Sequence, residues 1–132
     1  MKYPGIALFI FLSIAAGAQK QVAESGPAGT WKGSSICQVK SSPCNNEVVI
    51  YYITPRDKPN EYGIQMNKIV NGKEEDMAWI PATYDPATHK LTGTMKNYPA
   101  WNFTVKEKKI EGTLLLGNGT LYRIIKVERE EK

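Results

Sequence analysis

Histidine and cysteine are scarce in this sequence, and their scarcity limits the chemistry that the chain can support. Among 132 residues there is one histidine, His89, and there are two cysteines, Cys37 and Cys44. Nucleophilic catalysis needs a serine or cysteine beside a base, and no such partner lies near His89 along the chain. No glycine-rich loop is followed by a helical pattern, as a phosphate-binding loop requires. We therefore expect a protein that is not an enzyme and that carries no cofactor or metal.

Long hydrophobic runs are also missing, apart from one uncharged stretch at residues 6–16. A helix of that length is too short to cross a hydrocarbon core of roughly 30 Å. Lys2 precedes the run and Ala16-Gly17-Ala18 ends it, which is the pattern of a cleavable signal peptide. No cysteine follows closely, which disfavours a lipid anchor. We expect residues 1–18 to be removed, residues 19–28 to be a flexible segment, and the mature chain, without a membrane span, to be periplasmic or extracellular.

A large excess of charge of either sign is absent. The formal net charge is +4, and the basic residues are scattered among predicted turns and the polar sides of strands. A nucleic-acid site would need basic residues clustered on one face with aromatic residues between them. We expect a solvated surface, no nucleic-acid partner and a monomer. Residues 128–132 mix both signs and are expected to form a frayed C-terminus.

The two cysteines are expected to form a disulfide bond. Disulfides persist in exported proteins, and Cys37 and Cys44 would close a short loop that contains Pro43. A metal site is the alternative interpretation. Zinc sites favour cysteines spaced by two to four residues with further ligands nearby, so the spacing favours the disulfide.

Helical periodicity is nearly absent from the chain after residue 18, whereas short alternating runs recur every ten to thirteen positions. This spacing is typical of an all-β barrel or sandwich. The connections are too short for crossover helices, so neighbouring strands should pair antiparallel, and eight of them favour closure into a barrel over residues 29–127. The eight predicted strands are Thr30–Val39, Glu47–Thr54, Tyr62–Val70, Glu74–Tyr84, Lys90–Met95, Trp101–Lys106, Lys109–Leu116 and Thr120–Val127.

Turn residues and alternation refine this prediction. Asn71-Gly72 lies between two β runs, and both residues tolerate the positive φ of a type I′ hairpin. On the last strand Arg123 shares the side of the apolar residues Ile125 and Val127. A buried arginine needs a partner, since an unpaired buried charge costs several kcal/mol. The ring of Trp31 on the first strand is a suitable partner through a cation–π contact.

The two ends of the predicted barrel resemble those of the calycins, the group of lipocalins, fatty-acid-binding proteins and avidins. The resemblance is carried by Gly29-Thr30-Trp31 on the first strand and by Arg123 within Leu121–Val127. It implies an eight-stranded up-and-down barrel whose floor is closed by Gly29, Trp31 and Arg123. The chain also resembles small secreted bacterial domains that share the Gly-Thr-Trp opening and a turn like Tyr84-Asp85-Pro86. It is shorter than lipocalins and lacks the helical lid of fatty-acid-binding proteins.

Two polar clusters are candidate sites of lesser weight. Glu74-Glu75-Asp76 could bind a cation, but no spaced oxygen ligands with a glycine pivot surround it, as a calcium loop needs. A solvated hairpin flank is therefore the favoured interpretation. Asp85, four positions before His89, is expected to cap the turn with its side chain.

The aromatic residues are the remaining functional signal. Near a barrel mouth they would form an amphipathic ligand rim or a protein-docking patch. We expect such a rim to contain Trp79, Trp101, Tyr51, Tyr62 and Tyr84. A lumen cavity of about 300 Å³ or more would favour a small hydrophobic or amphipathic ligand bound with micromolar affinity, roughly −8 kcal/mol.

The alternative hypothesis is a module that binds or inhibits a secreted or envelope protein. A filled lumen and an exposed aromatic patch would favour this role. The long polar connection at residues 55–60 would then be the loop that meets the partner.

Overall fold

A computed structural model describes residues 26–41 and 43–131, which form an eight-stranded antiparallel barrel. Each strand pairs with its neighbours in chain order, and β1 pairs with β8 to close the barrel. Across these described residues no helix is long and apolar enough to cross a membrane. The strands are β1 Gly29–Cys37, β2 Glu47–Pro55, β3 Glu61–Val70, β4 Lys73–Asp85, β5 Lys90–Met95, β6 Tyr98–Val105, β7 Lys109–Leu115 and β8 Leu121–Arg129.

The predicted fold class is confirmed, and so are the alternation and the hairpin on which it was based. Trp101, Phe103 and Val105 of β6 are buried while Asn102 between them is exposed. Asn71-Gly72 forms a two-residue hairpin between the paired residues Val70 and Lys73, with φ of 52° and 81°. Alternation therefore places one face of each strand inside the barrel.

The start of β6 differs from the prediction because the turn before it lies further toward the N-terminus. Lys96 and Asn97 both have positive φ and connect Met95 to its partner Tyr98. Pro99 is part of β6, and the register shifts between Gly93 and Thr94 on the facing strand. A bulge of this kind accommodates a proline, which has no N–H for a regular ladder.

One end of the barrel is closed by Trp31 and Arg129, and this corrects the expected pairing of Trp31 with Arg123. The guanidinium carbon of Arg129 lies 4.3 Å from the centroid of the Trp31 ring. Arg129 also donates hydrogen bonds to the carbonyl oxygens of Ala28 at 2.7 Å and Gly26 at 2.9 Å. Trp31 in turn donates its indole N–H to the carbonyl of Pro27 at 2.9 Å.

The register of the two terminal strands explains the correction. Trp31 is paired with Arg129, whereas Arg123 is paired with Cys37 at the far end of β1. Six residues separate the two positions, and a strand advances about 3.3 Å per residue. Arg123 therefore lies about 20 Å from the floor. The segment expected to fray from residue 128 instead contributes two residues to β8, Glu128 and Arg129.

The opposite end, called the open end here, carries the connections β1–β2, β3–β4, β5–β6 and β7–β8. Cys37 and Cys44 form the predicted disulfide in the first of these, with Cα atoms 5.9 Å apart. The N–H of Cys37 donates to the side-chain oxygen of Asn46 at 2.9 Å. Both the bond and the hydrogen bond define the path of the chain from the end of β1 to Glu47, the first residue of β2.

The disulfide gives a first testable prediction. Reducing it in the folded protein should lower the free energy of unfolding by about 2.5 kcal/mol, because the unfolded chain regains the entropy of an eight-residue loop. Urea unfolding with and without reductant measures this loss of stability.

The intact mass of exported protein should match a chain from Gln19 that lacks two hydrogens; this N-terminal cleavage lies outside the described residues. Two free thiols in the folded state would contradict the prediction.

The half of the lumen nearest the floor is filled by side chains. Trp31, Phe103, Ile64, Leu91 and Ile110 are almost completely buried there. An eight-stranded barrel is only just wide enough for such filling. Within the barrel formed by the described residues, the space for a ligand in the lumen lies toward the open end.

Candidate ligand-binding cavity

A cavity of about 190 Å³ occupies the open half of the lumen. Met77 belongs to its lining and is 40% exposed, so the cavity is accessible from the surface at this residue, called its mouth here. Residues from all eight strands contribute to its wall. The lining residues are Ser35, Glu47, Val49, Tyr51, Met66, Met77, Ala78, Met95, Trp101, Leu114, Arg123 and Ile125.

One side of the cavity wall is built from methionines on three consecutive strands. Met66 lies on β3, Met77 on β4 and Met95 on β5. Met66 pairs with Ala78, and the register then shifts so that Asn67 pairs with Asp76. This bulge leaves Met77 without a cross-strand partner in the ladder and brings it to the mouth. Thioether side chains adapt their shape to an occupant, so this wall can adjust to different ligands.

The polar part of the mouth is centred on the Glu47 carboxylate. Its Oε2 lies 3.7 Å from Nη2 of Arg123 and 3.9 Å from Nζ of Lys68. Arg123 also donates to the carbonyl and the hydroxyl oxygen of Ser35, at 3.1 and 3.2 Å. Arg123 lies on the inward side of β8, where a buried charge needs partners, and it has them. Its partners are Ser35 and Glu47 instead of Trp31.

Tyr51 crosses the lumen between the filled half and the cavity. It is 3% exposed, and its ring centroid lies 6.3 Å from that of Phe103 on β6. Burial, and then the charge of Glu47, raise the pKa of the Tyr51 hydroxyl well above its ordinary value, while Arg123 acts in the opposite direction. The hydroxyl is therefore a neutral group that can donate a hydrogen bond toward the cavity.

The five residues predicted to form a ligand rim lie in three different places. Tyr51 and Trp101 line the cavity. Tyr62 and Tyr84 belong to the closed end, where their rings meet edge to face at 6.2 Å. Trp79 lies on the outer face of β4, 52% exposed, against the backbone of Gly63. The structure therefore does not bring Trp79, Tyr62 and Tyr84 to the cavity that Tyr51 and Trp101 line.

The carboxylate cluster on β4 belongs to the solvated outer face. Glu74 accepts hydrogen bonds from the Tyr52 hydroxyl at 2.6 Å and from the Asn67 amide at 2.8 Å. These two hydrogen bonds, that of Tyr52 first, hold the pKa of the Glu74 carboxyl below its ordinary value. In the part of the chain that the structure describes, no group of three histidine, cysteine or acidic residues could hold a metal ion.

The turn before β5 has the predicted side-chain cap. Asp85 accepts a hydrogen bond from the backbone N–H of Ala87 at 3.0 Å. His89 follows with a φ of 62° and lies 3.3 Å from the Tyr84 hydroxyl. His89 is therefore part of a turn at the closed end, on the opposite side of the barrel from the cavity.

Sequence reasoning did not single out Glu47, Lys68 or the three methionines. Glu47 and Lys68 share a face with Arg123 only because of the strand register, in which Glu47 pairs with Ser35 and Lys68 with Val49. The available signal was parity, because Glu47 lies on the same side of β2 as the buried residues Val49 and Tyr51.

Searches against protein-family models, curated proteins and solved structures find no match to this chain.

Proposed function

We propose that this chain is an exported, non-enzymatic barrel of calycin-like architecture that binds a small hydrophobic or amphipathic molecule in the open half of its lumen. The observation that carries the proposal is the cavity, which combines a largely apolar wall with the charged pair of Glu47 and Arg123. Binding sites for small molecules combine an apolar lining with a few placed polar groups in this way.

Two further observations support parts of this proposal. The contact of Trp31 with Arg129 under Gly29 is the closure expected of a calycin-like floor, with the arginine six residues further along than predicted. The disulfide of Cys37 with Cys44 is compatible with export. A binding role is favoured over catalysis because the one carboxylate of the lining already lies between two cations.

The volume of the cavity limits the size of the proposed ligand. At about 190 Å³ the cavity is smaller than the roughly 300 Å³ expected above for a ligand of micromolar affinity, so the proposed ligand is smaller and binds more weakly. The cavity exceeds the roughly 150 Å³ in which an apolar protein cavity holds benzene. A single ring with one substituent fits, and a long acyl chain does not.

A protein-binding role is the second candidate, and Trp79 is the observation that favours it. The ring is 52% exposed, and the guanidinium carbon of Arg56, from the predicted partner loop at residues 55–60, lies 5.3 Å from its centroid. Exposed tryptophan and arginine are enriched in the energetically important parts of protein interfaces. This surface is separate from the cavity, so the two roles can be tested independently.

The proposed ligand site predicts that toluene binds saturably, with a Kd of about 0.1–1 mM, roughly −4 to −5.5 kcal/mol. Ala78→Phe should abolish binding, because Ala78 lines the cavity and the larger side chain would fill it. NMR chemical shifts of the Trp101 indole are a suitable measurement.

Two controls accompany this titration. Val48→Phe adds the same ring to the outer face of β2, where Val48 is 46% exposed, and should leave the Kd unchanged. Trp79→Ser should also leave it unchanged. Absence of saturable binding to the native chain would contradict the ligand role and leave the protein-binding role as the better candidate.

A further inference from the structure

Two buried polar groups on the cavity wall have no hydrogen-bond partner within residues 26–41 and 43–131. They are the hydroxyl of Tyr51, 3% exposed, and the indole N–H of Trp101, 5% exposed. Both residues line the cavity. Buried tyrosine hydroxyls and tryptophan N–H groups usually find a partner, so these two groups are unusual.

Because both residues line the cavity, a hydrogen-bond acceptor held inside it would supply the partner that these groups lack. A buried donor left without an acceptor costs about 1–3 kcal/mol. The Trp101 N–H can only donate, and the Tyr51 hydroxyl is neutral and readily donates. An occupant with an acceptor group would therefore satisfy groups that the protein leaves unsatisfied.

The charges at the mouth favour a negative acceptor. Glu47 is the shared partner of Arg123 and Lys68, at 3.7 and 3.9 Å. Among these three groups two cations contact one carboxylate, and Glu75, the cross-strand neighbour of Lys68, is exposed to solvent. Arg123 is 9% exposed, and a charge removed from water in this way acts more strongly on an approaching anion than a solvated charge does.

The apolar part of the wall and the volume of the cavity determine the carbon portion of the ligand. A flexible apolar surface is formed by the side chains of Met66, Met77, Met95 and Leu114. The volume of about 190 Å³ admits one six-membered ring or a comparably short carbon chain together with a small head group.

We propose that the cavity binds a small organic carboxylate built on a single ring or a short carbon chain. Its carboxylate accepts hydrogen bonds from Tyr51 and Trp101 and faces Arg123, while its carbon portion lies against the methionines. This inference rests on the proposed function, that is, on the lumen being a ligand site, and it adds the chemical class of the ligand.

The test compares three probes on the full barrel by isothermal titration calorimetry. Benzoate carries the ring and the carboxylate, toluene carries a ring of the same size without an acceptor, and palmitate carries the carboxylate on a long chain. We expect benzoate to bind at least about tenfold more tightly than toluene, and palmitate not to bind.

Tyr51→Phe isolates the hydroxyl with little change in volume. It should weaken benzoate binding about five- to tenfold and leave toluene binding unchanged, without lowering the unfolding midpoint of the ligand-free protein. Tyr62→Phe removes a hydroxyl at the closed end and should change none of these values. This pattern separates a ligand contact from a structural effect.

Each contrary result has a distinct meaning. Equal affinities for benzoate and toluene, or no effect of Tyr51→Phe on benzoate, would overturn the carboxylate inference and leave the lumen as an apolar ligand site. Palmitate binding more tightly than benzoate would overturn the size limit. If neither toluene nor benzoate binds, the proposed function itself fails.

Discussion

Gly33→Ala is expected to lower the free energy of unfolding by at least about 3 kcal/mol, or to prevent folding altogether. Gly33 lies on β1 at the seam where β8 closes the barrel, paired with Val127. A Cβ at this position would overlap the carbonyl oxygen of Lys126 and lie 2.7 Å from the Cα of Val127. These are backbone atoms, which cannot rotate away as the end of a flexible side chain could, so the seam would have to open.

Urea unfolding followed by tryptophan fluorescence measures this loss, and Gly117→Ala is the matched control. At Gly117 an added Cβ would meet only the Tyr98 ring, at 3.8 Å, an ordinary contact distance. The control should stay within about 0.5 kcal/mol of the native protein. A Gly33→Ala variant as stable as the control would show that the β1–β8 seam is less tightly paired than described.

Arg129→Ala is expected to lower the free energy of unfolding by about 3 kcal/mol. The substitution removes the cation above the Trp31 ring and leaves the carbonyls of Gly26 and Ala28 without their donor. Hydrogen bonds from charged donors contribute about 1.5–3 kcal/mol each, but part of this is recovered when water reaches the half-buried carbonyls. Near-UV circular dichroism should also lose the Trp31 contribution.

Arg56→Ala is the matched control for Arg129. Arg56 also lies over a tryptophan, Trp79, but it is exposed and on the outside of the barrel. Exposed cation–π contacts contribute about 0.5–1 kcal/mol, so the control should lose no more than that. A larger loss for Arg56→Ala than for Arg129→Ala would refute the assignment of Arg129 to the floor.

The choice between Arg123 and Arg129 shows what alternation can and cannot predict. Both arginines lie on the same side of β8 as Ile125 and Val127, so parity alone does not distinguish them. The partner of Trp31 is determined by the stagger between the first and last strands, which depends on how the barrel as a whole closes. Local patterns therefore predicted the eight strands and their inward faces. The register between β1 and β8 could be determined only from the structure.

The candidate site was predicted only in part, for a related reason. Tyr51 and Trp101 were identified as aromatic residues near an opening, and parity is consistent with their place in the wall. Met77 reaches the mouth because of the bulge at Met66 and Asn67. No turn residue in the sequence indicates this bulge. Glu47 meets Arg123 because the disulfide connection returns the chain to the start of β2, which lies across β1 from the start of β8, a contact between residues far apart in sequence.

The hydrogen bonds of Arg129 have a practical consequence for how this protein can be handled. They gather residues 26–28 and the end of β8 at the floor, so the described chain enters and leaves the barrel on the side opposite the cavity mouth. A tether joined at residue 26 or at residue 131 would therefore hold the barrel with its mouth directed away from the supporting surface. Molecules immobilised through either position would present the cavity to solutes.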